Sequence, residues 1–236
     1  MKVSVFLPCR KGSQRVKNKN MRVFGDFQNG LLEIKLKHLI KSQMIDKIYL
    51  SSNDENVLNY AKSLKHANII LDKRSDSLAS DKVSADDLIM YAYNLIQEGE
   101  ILWTHVTSPF FTHVDYDCAI ARYMKALNEG YDSLMSVTPM QGFFWDKSGS
   151  LNYDIKLKKW PATQETGVIY ELNSAVFLTN AKVYKEMRNR IGIKPFLFET
   201  NKIKGFDIDW EEDFLMAEAL LKTDGQIIGN ELEWGD

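Results

Sequence analysis

From residue 3 to residue 138 short β-branched runs take turns with segments of helical period, and few architectures accommodate that order. Val3 to Leu7, Lys47 to Ser52, Asn68 to Leu71, Ile101 to Val106 and Ser133 to Thr138 read as strands. Leu31 to Ser42 sets Leu32, Leu36, Leu39 and Ile40 on one helical face with lysines opposite. A second helix, Asp54 to Lys65, opens on the turn and cap residues Ser52, Asn53 and Asp54. Ser84-Ala85-Asp86-Asp87 caps a third that reaches about Gln97, and Val114 to Leu127 supplies a fourth. Single helices joining successive strands through short loops predict an α/β fold, a mostly parallel, doubly wound sheet covered by helices. Core-like sequence returns at Ala175 to Leu178, in a helix near Ala181 to Arg190, and in an apolar strand at Pro195 to Phe198.

With 236 residues, 44% of them hydrophobic, the chain can bury a full core; lacking repeats and a clear linker, it reads as one domain over residues 1–236. A net charge of −2 argues against a general nucleic-acid or membrane-surface binder, so the expected partners are small molecules. Cys9 and Cys118 are too few for a disulfide framework or a Cys-based zinc site, which fits a reducing cytoplasm. The opening apolar run is too short for a signal peptide and no stretch approaches membrane-spanning length, so a soluble cytoplasmic protein is expected.

The positive charge is concentrated in one place. Directly after the first strand come Arg10, Lys11, Arg15, Lys17 and Lys19, with no acidic residue before Asp26. Gly12 and Ser13 let backbone N–H groups turn toward a ligand, and the cations can neutralise several anionic oxygens, so a polyphosphate suits the loop best. A solvated basic turn is the bland reading; the position of this one, at the carboxyl end of a strand, favours a ligand site. The segment matches neither G-x-x-x-x-G-K-[ST] nor G-x-G-x-x-G, which disfavours an ordinary P-loop or dinucleotide fold.

A second informative stretch is Gly205 to Phe214. Asp207 and Asp209 alternate with Phe206 and Ile208, so in an extended chain both carboxylates project from one face. Such a pair can hold a hard divalent cation, Mg²⁺ above all, which commonly takes one or two carboxylates plus phosphate oxygens. Glu211, Glu212 and Asp213 suit the first turn of a final helix, and the plainer alternative makes the whole run a solvated helix start. Between Met140 and Gly167 the sequence turns aromatic, with Phe143, Phe144, Trp145 and Trp160 and a hairpin turn at Asp146-Lys147-Ser148-Gly149. This reads as an inserted arm, residues 140–167, forming a homodimer contact.

Taken together these segments resemble the CMP-acylneuraminate (CMP-sialic acid) synthetases. The family's P-A-R-x-G-S-K-R-x-x-x-K-N is met by Pro8, Arg10, Gly12, Ser13, Arg15, Lys19 and Asn20, and its R-P-x-x-L-A-x-D by Arg74, Leu78, Ala79 and Asp81. Q-P-T-S-P is met by Thr107, Ser108 and Pro109, N-G-A-[IV]-Y by Asn173-Ser174-Ala175-Val176-Phe177, and D-I-D-T-x-x-D by Asp207, Ile208, Asp209 and Asp213. The resemblance implies a Rossmann-like nucleotidyltransferase fold. It also implies Mg²⁺-dependent transfer of CMP from CTP to the anomeric hydroxyl of an acidic 2-keto sugar, with release of pyrophosphate. Arg10, Ser13, Arg15 and Lys19 would hold the phosphates beside Pro8 and Gly12, while Asn20, Arg74 and Ser80 or Asp81 would line the nucleotide pocket. Asp207 and Asp209 would carry the metal, and Arg10, Lys19 and Asp209 the catalysis.

The departures fall mainly on the acceptor side. Gln14 stands where the family has a lysine, His105-Val106 replaces its Q-P, and no arginine follows Pro109. A histidine at a strand end is usually structural, but the match of His105 to the family's glutamine makes it an acceptor contact, with Thr107, Ser108, Gln164 and Asn173. Thr163-Gln164-Glu165 replaces an arginine-containing family segment, which points to a non-standard acceptor. The alternatives are a different acidic acceptor and a CTP-binding regulatory relative without turnover.

Overall fold

A computed structural model of the protein describes residues 2–79 and 84–223. The first half runs β1 (Val3–Cys9), α1 (Gly30–Lys41), β2 (Lys47–Ser52), α2 (Glu55–Ser63), β3 (Ile69–Lys73), α3 (Ala85–Ile96), β4 (Glu100–Trp103) and α4 (His113–Asn128). The second half runs β5 (Ser133–Met140), a short hairpin of β6 (Trp145–Asp146) and β7 (Gly149–Ser150), then β8 (Ile169–Asn180), α5 (Ala181–Met187), β9 (Pro195–Glu199) and α6 (Glu211–Lys222).

Seven strands form one sheet in the order β3-β2-β1-β4-β8-β5-β9. All its neighbours pair in parallel except β8, which lies antiparallel between β4 and β5. The mostly parallel, doubly wound α/β sheet expected from the strand–helix alternation is therefore the observed one. Alternation along β1 sends Val3, Val5, Leu7 and Cys9 into one core and Phe6 into the other. The first core is closed by α1, α2, α4 and α6, through residues such as Leu36, Val57, Tyr116 and Phe214. The second is closed by α3 and α5, with Phe6 and Trp103 in ring contact at 4.7 Å. Asp54 caps α2 by accepting from Asn56 N, and Ser84 and Asp87 cap α3 reciprocally, as their sequence signatures indicate.

Three local features differ from the sequence reading. The fourth strand stops at Trp103 instead of Val106: Thr104 N still donates to Phe6 O, and the chain then turns over the sheet rim. Lys35 is fully buried in α1, whereas Lys37 and Lys41 face solvent as expected. It lies three residues after Leu32 and four before Leu39, on the apolar face. Finally, β8 begins at Ile169, well before Ala175, because its first residues form an exposed stretch that carries no apolar run. Its pairing with β5 jumps from Met135↔Phe177 to Val137↔Leu172, so Ser136 alone faces the four residues Asn173 to Val176. That bulge bends the strand beside the rim of the sheet.

The segment after β5 carries the hairpin turn foreseen at Asp146 to Gly149, with Asp146 Oδ1 accepting from Ser148 N and Gly149 N. Phe143 packs edge-on against Tyr153 and Trp160, yet Trp160 stays 71% exposed. Among the described residues no helix is long and apolar enough to cross a membrane.

Candidate active site

The carboxyl ends of β1, β2 and β3 finish level, since Cys9 pairs with Ser52 and Ser52 with Lys73. β4 leaves the same rim on the other side of β1. The chain winds outward in both directions from β1 and β4, which makes the gap above them the switch-point crevice where ligands bind in such sheets. The basic loop leaves Cys9 into this gap. Gly12 turns it at φ +78°, a left-handed conformation in which a side chain is strained, and nothing lies within 4 Å of where a Cβ would stand. Lys11 N donates to Asn53 Oδ1, Asn20 Nδ2 donates to Arg10 O, and Val16 is buried, so the loop is held at three points.

The acidic segment comes to meet it. Residues 206 to 209 belong to no helix or strand, Ile208 is fully buried, and its N–H donates to Thr107 O at 2.9 Å. Lys19 Nζ donates to Ile208 O at 2.8 Å, and Arg15 Nη2 reaches Asp209 Oδ1 at 2.6 Å. Burial pulls the Lys19 ammonium below its ordinary pKa, and the Asp209 carboxylate opposes that shift. Two stretches separated by most of the chain thus share one cleft of about 290 Å³. Pro8, Arg10, Ser13, Arg15, Lys19, Asn20, His105, Thr107, Asp207 and Asp209 all line it, together with Gln14, Val106 and Ser174.

Asp207 Oδ1 is buried and has no hydrogen-bond partner among the described residues. A buried carboxylate oxygen without a donor is an atom that a cation satisfies. No group of three or more His, Cys, Asp or Glu side chains able to hold a metal occurs among the described residues. The carboxylates of Asp207 and Asp209 are oxygen ligands of the kind a hard cation takes together with phosphate and water. Asp213 serves the backbone instead: its Oδ2 accepts from Asp209 N and Trp210 N, capping α6 and fixing the main chain at the second aspartate.

A second cleft of about 430 Å³ shares Asp207 and Asp209 as its wall with the first and extends over Thr138, Glu171, Lys202 and Trp210. Asn173 lies on its border. Its amide is committed inward: Nδ2 donates to Thr138 Oγ1 and Thr200 Oγ1, and Oδ1 accepts from Ser136 Oγ. Gly205 closes over this network. A Cβ there would press on Thr138 Oγ1, with Thr200 Oγ1 at 2.6 Å and Asn173 Nδ2 at 2.7 Å. Gly205→Ala should therefore cost about 1–3 kcal/mol by overpacking, read as a lowered urea midpoint at unchanged slope. An unchanged midpoint would mean that the network gives way freely.

Several candidates stand apart from the clefts. Arg74 follows β3 on the same rim but is buried, with Nε lacking a hydrogen-bond partner among the described residues. It lies electrostatically close to Cys9, whose thiol burial pushes up to about 12. Ser108 is buried, with its carbonyl accepting from Lys35 Nζ at 2.8 Å. Gln164 sits in the exposed turn of the arm, where its carbonyl accepts from Gln141 Nε2, and lines neither cleft. Ser80 and Asp81 lie outside the described residues. The sequence reading missed Ser174, Glu171, Lys202 and Lys35 as site candidates. Ser174 reaches the cleft through the bulge in β8, which strand alternation does not announce.

His105 stands at the junction of the loop after β4 with the cleft. Its Nε2 accepts from Trp103 Nε1 at 2.8 Å. Burial first, and the Arg190 guanidinium second, pull its pKa down to about 4, so the ring is neutral at pH 7.

An N-acylneuraminate cytidylyltransferase of Escherichia coli is 27% identical over 223 residues, which are 92% of this chain and 51% of that protein. This chain thus spans about half the length of that relative. A pseudaminic acid cytidylyltransferase of Campylobacter jejuni is 24% identical over 234 residues, 94% of this chain and 97% of that one. Among solved structures, a CMP:2-keto-3-deoxy-manno-octonic acid synthetase complexed with CTP superposes with a TM-score of 0.64 at 11% identity, over 94% of this chain and 98% of that one. A 4-diphosphocytidyl-2C-methyl-D-erythritol synthase from Anaerococcus prevotii gives 0.65 at 15% identity, over 93% and 96%. These two likenesses concern the fold, a Rossmann-like one. The family described as Cytidylyltransferase matches residues 4–231, and so, on nearly its whole length, this chain belongs to the cytidylyltransferase family of nucleotidyltransferases.

Proposed function

We propose that the protein transfers CMP from CTP to the anomeric hydroxyl of an acidic 2-keto sugar, releasing pyrophosphate. The observation that carries this reading is the shared cleft, in which the cations after β1 meet Asp207 and Asp209. Arg10, Ser13, Arg15 and Lys19 hold the triphosphate, with Pro8, Gly12 and Asn20 shaping the loop around it. Arg74, at the rim of β3, serves the nucleoside side. Asp207 and Asp209 hold Mg²⁺, which when bound neutralises charge on the phosphate oxygens. No side chain need act as nucleophile: the sugar hydroxyl attacks the α-phosphorus in line, and Arg10 and Lys19 stabilise the charge that gathers on pyrophosphate.

The second cleft, sharing the two aspartates, takes the acceptor sugar, with Lys202 available to its carboxylate, while His105 and Thr107 approach the sugar from the first cleft, which the same aspartates wall. Asn173 borders the second cleft, Ser108 is buried in the loop that carries Thr107, and Gln164 sits in the arm. The relatives named for N-acylneuraminic and pseudaminic acids support a nine-carbon acidic sugar. The arm of residues 140–167, with Trp145 half exposed and Trp160 largely so, docks on a second copy to form a homodimer in the cytoplasm. Incubation with CTP, Mg²⁺ and a panel of nonulosonic and shorter ulosonic acids should release pyrophosphate with at least one of them. Binding of CTP with no release from any acceptor would leave a regulatory relative in its place.

A further inference from the structure

Trp103 and His105 are two residues apart where the chain leaves β4, and their rings lie 6.0 Å apart. Trp103 is nearly fully buried, packed on Phe6 and covered by the Arg190 guanidinium at 5.2 Å. Its Nε1–H donates to His105 Nε2. An indole nitrogen only donates, so Nε2 must be the bare nitrogen of the imidazole and Nδ1 must carry its single proton. Nδ1 makes no hydrogen bond to any described residue and is not among the buried unpartnered atoms, while the ring lines the cleft beside Asp207.

We infer that His105 presents one hydrogen-bond donor, Nδ1–H, to the acceptor sugar, and that Trp103 determines this polarity without touching the sugar. The group recognised there must be an oxygen that accepts: a carbonyl, a carboxylate or a hydroxyl used through its lone pair. A glutamine in this place, as in the resembling synthetases, offers both a donor and an acceptor; the locked histidine offers only the first. This inference rests on the CMP-transfer reading for its acceptor half, whereas the tautomer itself does not.

The test is Trp103→Phe in the full chain, which keeps an aromatic ring and removes the indole N–H. Nitrogen-15 spectra of the histidine side chains at pH 7, with His105→Gln used for assignment, should show His105 as the Nδ1–H tautomer in the wild type and shifted toward Nε2–H in the variant. With N-acetylneuraminic acid, or whichever acid of the panel releases pyrophosphate, the KM for the acceptor should rise about tenfold, the size of one neutral hydrogen bond, while the KM for CTP stays unchanged. A wild-type Nε2–H tautomer overturns the inference. So does a shifted tautomer with an unchanged acceptor KM. If no acid is turned over by the wild type, the functional reading and the acceptor half fall together, and the nitrogen spectra still decide the tautomer.

Discussion

Asp209→Asn is expected to lower pyrophosphate release by about 10²–10³-fold, the loss typical when one preorganised electrostatic contact to developing charge is removed. The same substitution should leave the fold intact by circular dichroism and change stability by less than about 1 kcal/mol. The two magnitudes separate because Asp209 has two kinds of neighbour. Its ion pair with Arg15 is roughly half exposed on both sides, with side-chain accessibilities of 47% and 46%, and pairs in that setting contribute little. Its place beside Asp207, whose Oδ1 is buried without a donor among the described residues, makes it part of an oxygen set that a cation would complete. Arg15→Gln separates the roles. If Asp209 served only to hold Arg15, the two variants would lose activity equally and with the same dependence on Mg²⁺ concentration. A metal role instead predicts that Asp209→Asn moves the Mg²⁺ dependence and Arg15→Gln moves the KM for CTP. Wild-type turnover in Asp209→Asn would remove the metal assignment.

What could be read from the sequence was whatever a short window carries. The strands around Val5, Leu50 and Leu134 and the caps at Asp54 and Ser84 are local patterns, and they appear where the residues put them. The cationic loop and the Asp207–Asp209 alternation were legible as chemistry. Their meeting was expected only through the family resemblance, because the contacts of Lys19 and Arg15 with residues 208 and 209 depend on how the sheet is ordered, which no local period encodes. The bulge of β8 escaped for a related reason. Asn173 to Val176 satisfy their polar groups against Ser136, Thr138 and Thr200, three residues on two other segments, so their sequence alone shows only a mixed polar and apolar run. Lys35 shows the limit of periodicity itself: a charged letter counts as polar in the pattern even when its position is on the buried stripe.

That lysine carries the second large effect expected. Lys35 Nζ donates to Ser108 O at 2.8 Å and to Tyr116 Oη at 2.5 Å, and Tyr116 Oη shares a hydrogen bond with Thr104 Oγ1. The Lys35 amino group thus ties together the loop of residues 104 to 108, which presents His105 and Thr107 to the cleft and, through Thr107 O, holds Ile208 N between the two aspartates. Burial pulls its pKa from 10.5 to about 7, against the opposing pull of Asp207 and Asp115. Between those values the unfolded chain binds a proton that the folded chain lacks, so this group makes stability rise with pH, and its full penalty is present below about pH 7. Lys35→Met keeps the length and apolar stem, removes that penalty, and leaves Ser108 O without its donor at about 1–3 kcal/mol. The two changes oppose each other, so the variant should be less stable than the wild type at pH 9 and should recover, relative to it, at pH 6. Turnover should nevertheless fall by about 10–100-fold at both pH values, because a loop displaced by even 1 Å misaligns the reacting groups. A variant whose stability relative to wild type is the same at pH 6 and pH 9 would show that Lys35 does not titrate in this window. Unchanged turnover would show that the aspartates keep their place without the buried lysine.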